Sequence, residues 1–144
     1  MKLLLISASY PPASGGVATH VANLAHSFIS KDKNNKVFVL TSSKKKLSKY
    51  SIEDIGGKEN LSRLNVLKMK KDSIDNFSGR RTPFDEILKK IMTIWHHISP
   101  DIIHAHDFDS AYMGLMLKTA FETPLIFTYH RAPNPLIPLW FQVK

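Results

Sequence analysis

"KLLLISASYPPASGGVATHVANLAHSF", residues 2–28, decides how the chain is built. Residues 2 to 8 open with an unbroken apolar run, the pattern of a strand buried on both faces rather than one with a wet side. Pro11 and Pro12 then interrupt regular structure. From Gly16 onward Val17, Val21, Leu24, Ala25 and Phe28 recur at helical spacing, which predicts an amphipathic helix of about four turns ending near Ser30. A doubly buried strand feeding a helix is the opening of a β-α-β unit.

The rest of the chain continues that alternation. "KVFVLTS" (36–42) is a β-branched and aromatic strand, residues 43–60 are polar and expected to loop out, and "RLNVLKMK" (63–70) is a weaker strand. Residues 71–81 look irregular. Thr82 as N-cap and Pro83 at the first helical position then open a helix whose stripe is Phe84, Ile87, Leu88, Ile91, Ile94, Trp95 and Ile98. Pro100 stops it. "DIIHAH" (101–106) reads as a buried strand, Asp107 or Asp109 as the cap of a helix over roughly 109–121, and "PLIFTYH" (124–130) as a last strand. This order predicts a single α/β domain over residues 1–144, a doubly wound parallel sheet with helices on both faces.

Composition narrows the function classes. No apolar stretch approaches the roughly 20 residues of a membrane span, and Leu3 to Ala8 is too short for a signal peptide, so a cytoplasmic home is expected. With no cysteine, disulfides, thiolate zinc sites and cysteine nucleophiles are excluded. The net charge of +8 is concentrated: seven lysines and one acid lie between Lys31 and Lys49. Such a patch attracts phosphorylated molecules or an anionic membrane surface. "SSKKKLSKY" lacks interleaved aromatics, so no nucleic-acid partner is expected, and a plain solvated loop explains the charge equally well.

In doubly wound sheets ligands gather beyond the carboxyl ends of strands, which singles out three corners. At the first, Gly15 and Gly16 bare the backbone where a strand turns into a helix; a phosphate suits the free N–H groups and the helix dipole. Two adjacent glycines also serve a tight turn, and they match no dinucleotide or NTPase fingerprint. At the second corner His104 and His106, two apart on a strand, leave the same face, with Asp107 at the mouth. That spacing suits a metal-dependent hydrolase, but "HAHDFD" lacks a further histidine and no later metal cluster follows. The alternative is one histidine held inside and one facing ligand, with His106, nearer the strand end, the better candidate. At the third, His130 and Arg131 lie just past a strand.

Three segments, "MKLLLISASYPPASGGVATHVANLAHSF", "PDIIHAHDFDSAYMG" and "TPLIFTYHRA", resemble in that order the N-terminal domain of the family 4 glycosyltransferases, the GT-B group that includes glycogen synthases and mannosyltransferases. The resemblance implies a retaining transfer of sugar from a nucleotide-sugar donor to an acceptor hydroxyl, without a required metal or other cofactor. It places Gly15 and Gly16 under the donor diphosphate and His106 beside the transferring sugar, as the catalytic residue. By their place at the three corners alone, Tyr10, His20, Asp107, His130 and Arg131 would border the acceptor, a sugar or a lipid-linked molecule at a membrane surface. The family also uses a second, donor-binding domain with a Glu-x7-Glu motif; Glu53 and Glu59 have the wrong spacing for it. The apolar "PLIPLWF" near Lys144 is expected to be covered by something. The chain is thus expected to be an incomplete N-terminal domain, silent alone and needing that partner domain in cis or trans. Two other readings stay open: a non-catalytic module or regulatory subunit that binds a phosphorylated ligand, and the hydrolase built on His104 and His106.

Overall fold

Leu3, Leu4, Leu5 and Ile6 are at most 5% exposed, so β1 (Lys2–Ser7) is buried on both faces as its composition demands. The computed structural model describes residues 1–43, 52–53, 63–70, 92, 95–96 and 98–130. β1 pairs in parallel with β2 (Lys36–Ser43) on one side and β5 (Ile102–His106) on the other. β2 pairs in parallel with β4 (Leu64–Lys70), and β5 with β6 (Leu125–Thr128). One strand departs from the expected loop over 43–60: β3 (Ile52–Glu53) lies antiparallel on β4. The outer edge of β4 would otherwise present unpaired backbone groups, and this short segment covers part of it. The sheet order is β3-β4-β2-β1-β5-β6.

Helices cover both faces, as expected of a doubly wound sheet. On one side α1 (Gly16–Lys31) buries Ala18, Val21, Ala25 and Ile29, the last three packing with Leu3, Leu5, Val37, Val39, Leu64 and Val66. Val17, Leu24 and Phe28 flank that line and are only partly buried, so the buried stripe is narrower than the apolar pattern suggests. The end of α1 is closed by Arg63, whose guanidinium donates to the carbonyls of Ile29, Asp32 (2.6 Å) and Asn35 (3.1 Å). The Ile29 carbonyl in the last turn thereby gains a partner, and the start of β4 is tied to the end of α1.

On the other face α2 (Phe108–Phe121) packs Met113 and Leu117 against Leu4, Ile6, Ile103 and Ala105. Trp95 and Ile98 join the same core, and Trp95 stacks on Phe121 at 4.0 Å between ring centroids. Residues 92, 95, 96 and 98 are helical, with Trp95 and Ile98 buried as their place in the predicted stripe requires. The expected helix start at Thr82 and Pro83, the irregular stretch 71–81, the lysines at 44–46 and 49, Glu59 and the tail from Arg131 to Lys144 lie outside the described residues. Among the described residues, no helix is long and apolar enough to cross a membrane.

Gly114 sets how closely α2 approaches the sheet. A Cβ there would lie 2.7 Å from Leu125 Cδ1 and 3.3 Å from Ala105 Cβ. The leucine tip can swing aside, whereas a methyl fixed on β5 cannot. Gly114→Val is therefore expected to lower unfolding stability by about 1–3 kcal/mol through overpacking. Gly114→Ala should cost less, because alanine regains up to about 1 kcal/mol of helix propensity. Urea denaturation of the two variants checks the order.

Candidate active site

The chain leaves β1 toward β2 and β4 on one side and returns to build β5 and β6 on the other, so the sheet reverses direction at the β1/β5 seam. Open α/β sheets bind ligands beyond the carboxyl ends of the strands at such a seam. Here Ser7, His106 and Thr128 stand side by side: His106 is the register partner of Ser7 on β1 and of Thr128 on β6. The Ser7 hydroxyl donates to Ser9 O (2.9 Å) and accepts from Ser9 N (3.3 Å), which fixes the chain as it turns out of the strand.

The corner that follows is open at the backbone. Gly15 takes φ 134°, a conformation that L side chains rarely adopt, and its carbonyl accepts from Thr19 N (3.1 Å) and Thr19 Oγ1 (3.2 Å) to start α1. No side chain caps this helix and no acidic residue sits in its first turn. Its positive end and leading amides thus keep their attraction for an anion. A Cβ added to Gly15 or Gly16 would meet nothing within 4 Å.

One turn further along α1, His20 leans toward the end of β5. Its ring lies 5.6 Å from that of His106 and 5.0 Å from that of His130, edge-on to both. His106 Nδ1 and His130 Nε2 are hydrogen-bonded at 2.8 Å, and His104 Nε2 and Thr128 Oγ1 at 2.7 Å. The two β5 histidines face the same way, 4.2 Å apart between centroids. Burial runs opposite to the expectation of an inner His104 and an open His106: His104 is half-exposed and bonded to Thr128, while His106 is fully buried beneath His20 and His130, with Nδ1 bonded to His130 and Nε2 unpartnered.

Burial sets the charge state. It pushes the His106 pKa down from 6.5 to about 3, helped by repulsion from His104, His130 and His20. His104 is lowered too, by burial first and then by His20 and His130. Both imidazoles are neutral at neutral pH, able to donate from one nitrogen and accept at the other.

Asp107, immediately after His106, adopts φ 72° and ψ 164°, a region that ordinarily belongs to glycine. It is held there by Asp107 N donating to Thr128 O (3.2 Å) and by its carbonyl accepting from Ala111 N (3.0 Å). It occupies the N-cap position of α2, but its side chain makes no capping bond. Backbone strain of this kind clusters where a chain serves a ligand.

Of the residues expected from the sequence to line a site, His20, His106 and His130 converge, Asp107 follows His106 directly in the chain, and Gly15 and Gly16 open one turn before His20 on the same helix. Tyr10 packs into the α1-side core, where burial raises its phenol pKa. Arg131 lies outside the described residues. Ser7 and Thr128 are additions. The signal for Thr128 was present: "TYH" carries the spacing of "HAH", and side-chain hydrogen bonds reaching two residues past the strand register join 104 to 128 and 106 to 130.

The family model for Glycosyltransferase Family 4 matches residues 14–142. That span takes in the glycine corner, both β5 histidines and His130. No curated protein matches the sequence. Motifs, sheet topology and the extent of the family match agree: the chain belongs to the family 4 glycosyltransferases.

Proposed function

We propose that this domain forms the acceptor-side wall of a retaining glycosyltransferase that moves a sugar from a nucleoside diphosphate to an acceptor hydroxyl. The observation that carries it is the junction of an uncapped helix start at Gly15 and Gly16 with the His106 cluster at one corner of the sheet. In the reaction the bond from the anomeric carbon to the diphosphate breaks and a bond to the acceptor oxygen forms. The acceptor proton passes to the leaving phosphate. Amides already aimed at that phosphate stabilise its growing charge when it matters most, in the transition state.

His106 suits a supporting role better than that of a base. Its unpartnered Nε2 can hold a sugar hydroxyl, and a neutral imidazole tolerates the positive charge developing on the sugar. Because this nitrogen is buried, the exposed His20 ring must move aside as the donor arrives. Asp107 and His130 border the acceptor, a sugar or a lipid-linked hydroxyl. Neither step calls for a metal, and the donor is completed by a second domain in cis or trans.

Nuclear magnetic resonance of the labelled protein tests the reading. Millimolar nucleoside diphosphate should shift the amide resonances of Gly15 to Ala18 first, with the His20 ring following. Shifts confined to another part of the surface would remove the basis for the assignment.

A further inference from the structure

We propose that His20, His106 and His130 form a three-imidazole site for a first-row transition-metal dication such as Zn2+. The three side chains come from different elements: the second turn of α1, the end of β5 and the segment just past β6. One ligand-capable nitrogen from each lies within 4.8 Å of the other two. Zinc–nitrogen bonds of about 2.0–2.1 Å put tetrahedral ligands roughly 3.4 Å apart. Closing the site therefore takes a ring movement of about an ångström, which the exposed His20 can supply while β5 holds His106 in place.

A second observation points the same way. Nε2 of His106 is buried without a hydrogen-bond partner, and an unsatisfied buried imidazole nitrogen is costly. Coordination through Nε2 gives this nitrogen the partner it lacks. The donor set consists of imidazole nitrogens with no carboxylate or thiolate, which favours Zn2+, Cu2+, Ni2+ or Co2+ over Mg2+ or Ca2+. Three protein ligands leave the fourth position open to water. His104 is outside the set, because its Nε2 is engaged by Thr128 Oγ1. The site thus differs from the His104 and His106 pair that strand spacing alone suggests, and it is not a requirement of sugar transfer.

Calorimetric titration of the protein with ZnCl2 in chelator-free buffer should show one equivalent bound. His20→Ala and His130→Ala should each weaken binding about tenfold or more, as expected when a ligand is lost. His26→Ala, on the same helix but outside the cluster, should leave it unchanged. Because His20 is exposed, its removal does not endanger the fold, and Co2+ in place of Zn2+ should give the intense visible absorption of a four-coordinate nitrogen site. Absence of stoichiometric binding, or binding that survives His20→Ala undiminished, overturns the proposal.

Discussion

In the enzyme completed by its donor-binding domain, Gly16→Leu should abolish sugar transfer, by a factor on the order of 1,000 or more, while unfolding stability stays within about 1 kcal/mol of wild type. The two halves of this expectation rest on different facts. A Cβ at Gly16 meets nothing within 4 Å and its backbone is not in the left-handed region, so a side chain can leave the backbone there without strain. Leucine is also a better helix former than glycine. Yet the new side chain fills the space before the leading amides of α1, where the diphosphate is proposed to lie. Gly15 makes a poorer experiment: at φ 134° any replacement is strained, and lost activity could not be separated from a damaged corner. Release of nucleoside diphosphate and urea denaturation, measured on the same preparation, give the answer. Turnover equal to wild type would show that the open space faces only solvent.

How far the sequence discloses this arrangement depends on whether a feature is local. β1, α1, β2 and β5 follow from continuous apolar runs and a clear helical period, and their bounds agree with the structure to within one residue at most positions. β3 is a two-residue segment whose pairing exists because β4 has a free edge; nothing in "IE" alone announces a strand. α2 is apolar almost all round, with Phe108, Tyr112 and Leu115 about half exposed and Ser110 and Gly114 buried, so composition could not say which face meets the sheet. Proximity decides, since Gly114 lets the helix come close to Leu125 and Ala105. The site shows the same division. Gly15, Gly16 and His106 are visible as motifs, but the burial of His106 rather than His104 depends on rings contributed from α1 and from beyond β6. A two-residue strand period says which face they share and not which of them is covered.

Because those rings crowd it, His106 should make the domain sensitive to acid. Its imidazole takes up a proton near pH 6.5 under ordinary conditions and only near 3 in the folded chain. Between those values the unfolded chain binds more protons than the folded one, so acid favours unfolding. Stability from this group is fully present above about pH 6.5 and drains as pH falls toward 3, by on the order of 1 kcal/mol per pH unit. His104, also lowered, acts in the same direction. His106→Gln keeps a polar side chain of similar reach but cannot titrate. Transfer by the enzyme completed with its donor-binding domain should fall about 100-fold, the scale of losing one oriented polar group, while the slope of urea midpoint against pH between 7 and 4 for this domain becomes shallower than in wild type. Identical slopes would mean that His106 is protonated in the folded chain at mild acidity. A neutral imidazole beside the departing sugar would then be the wrong picture, and the charge on that ring would oppose the cation developing next to it.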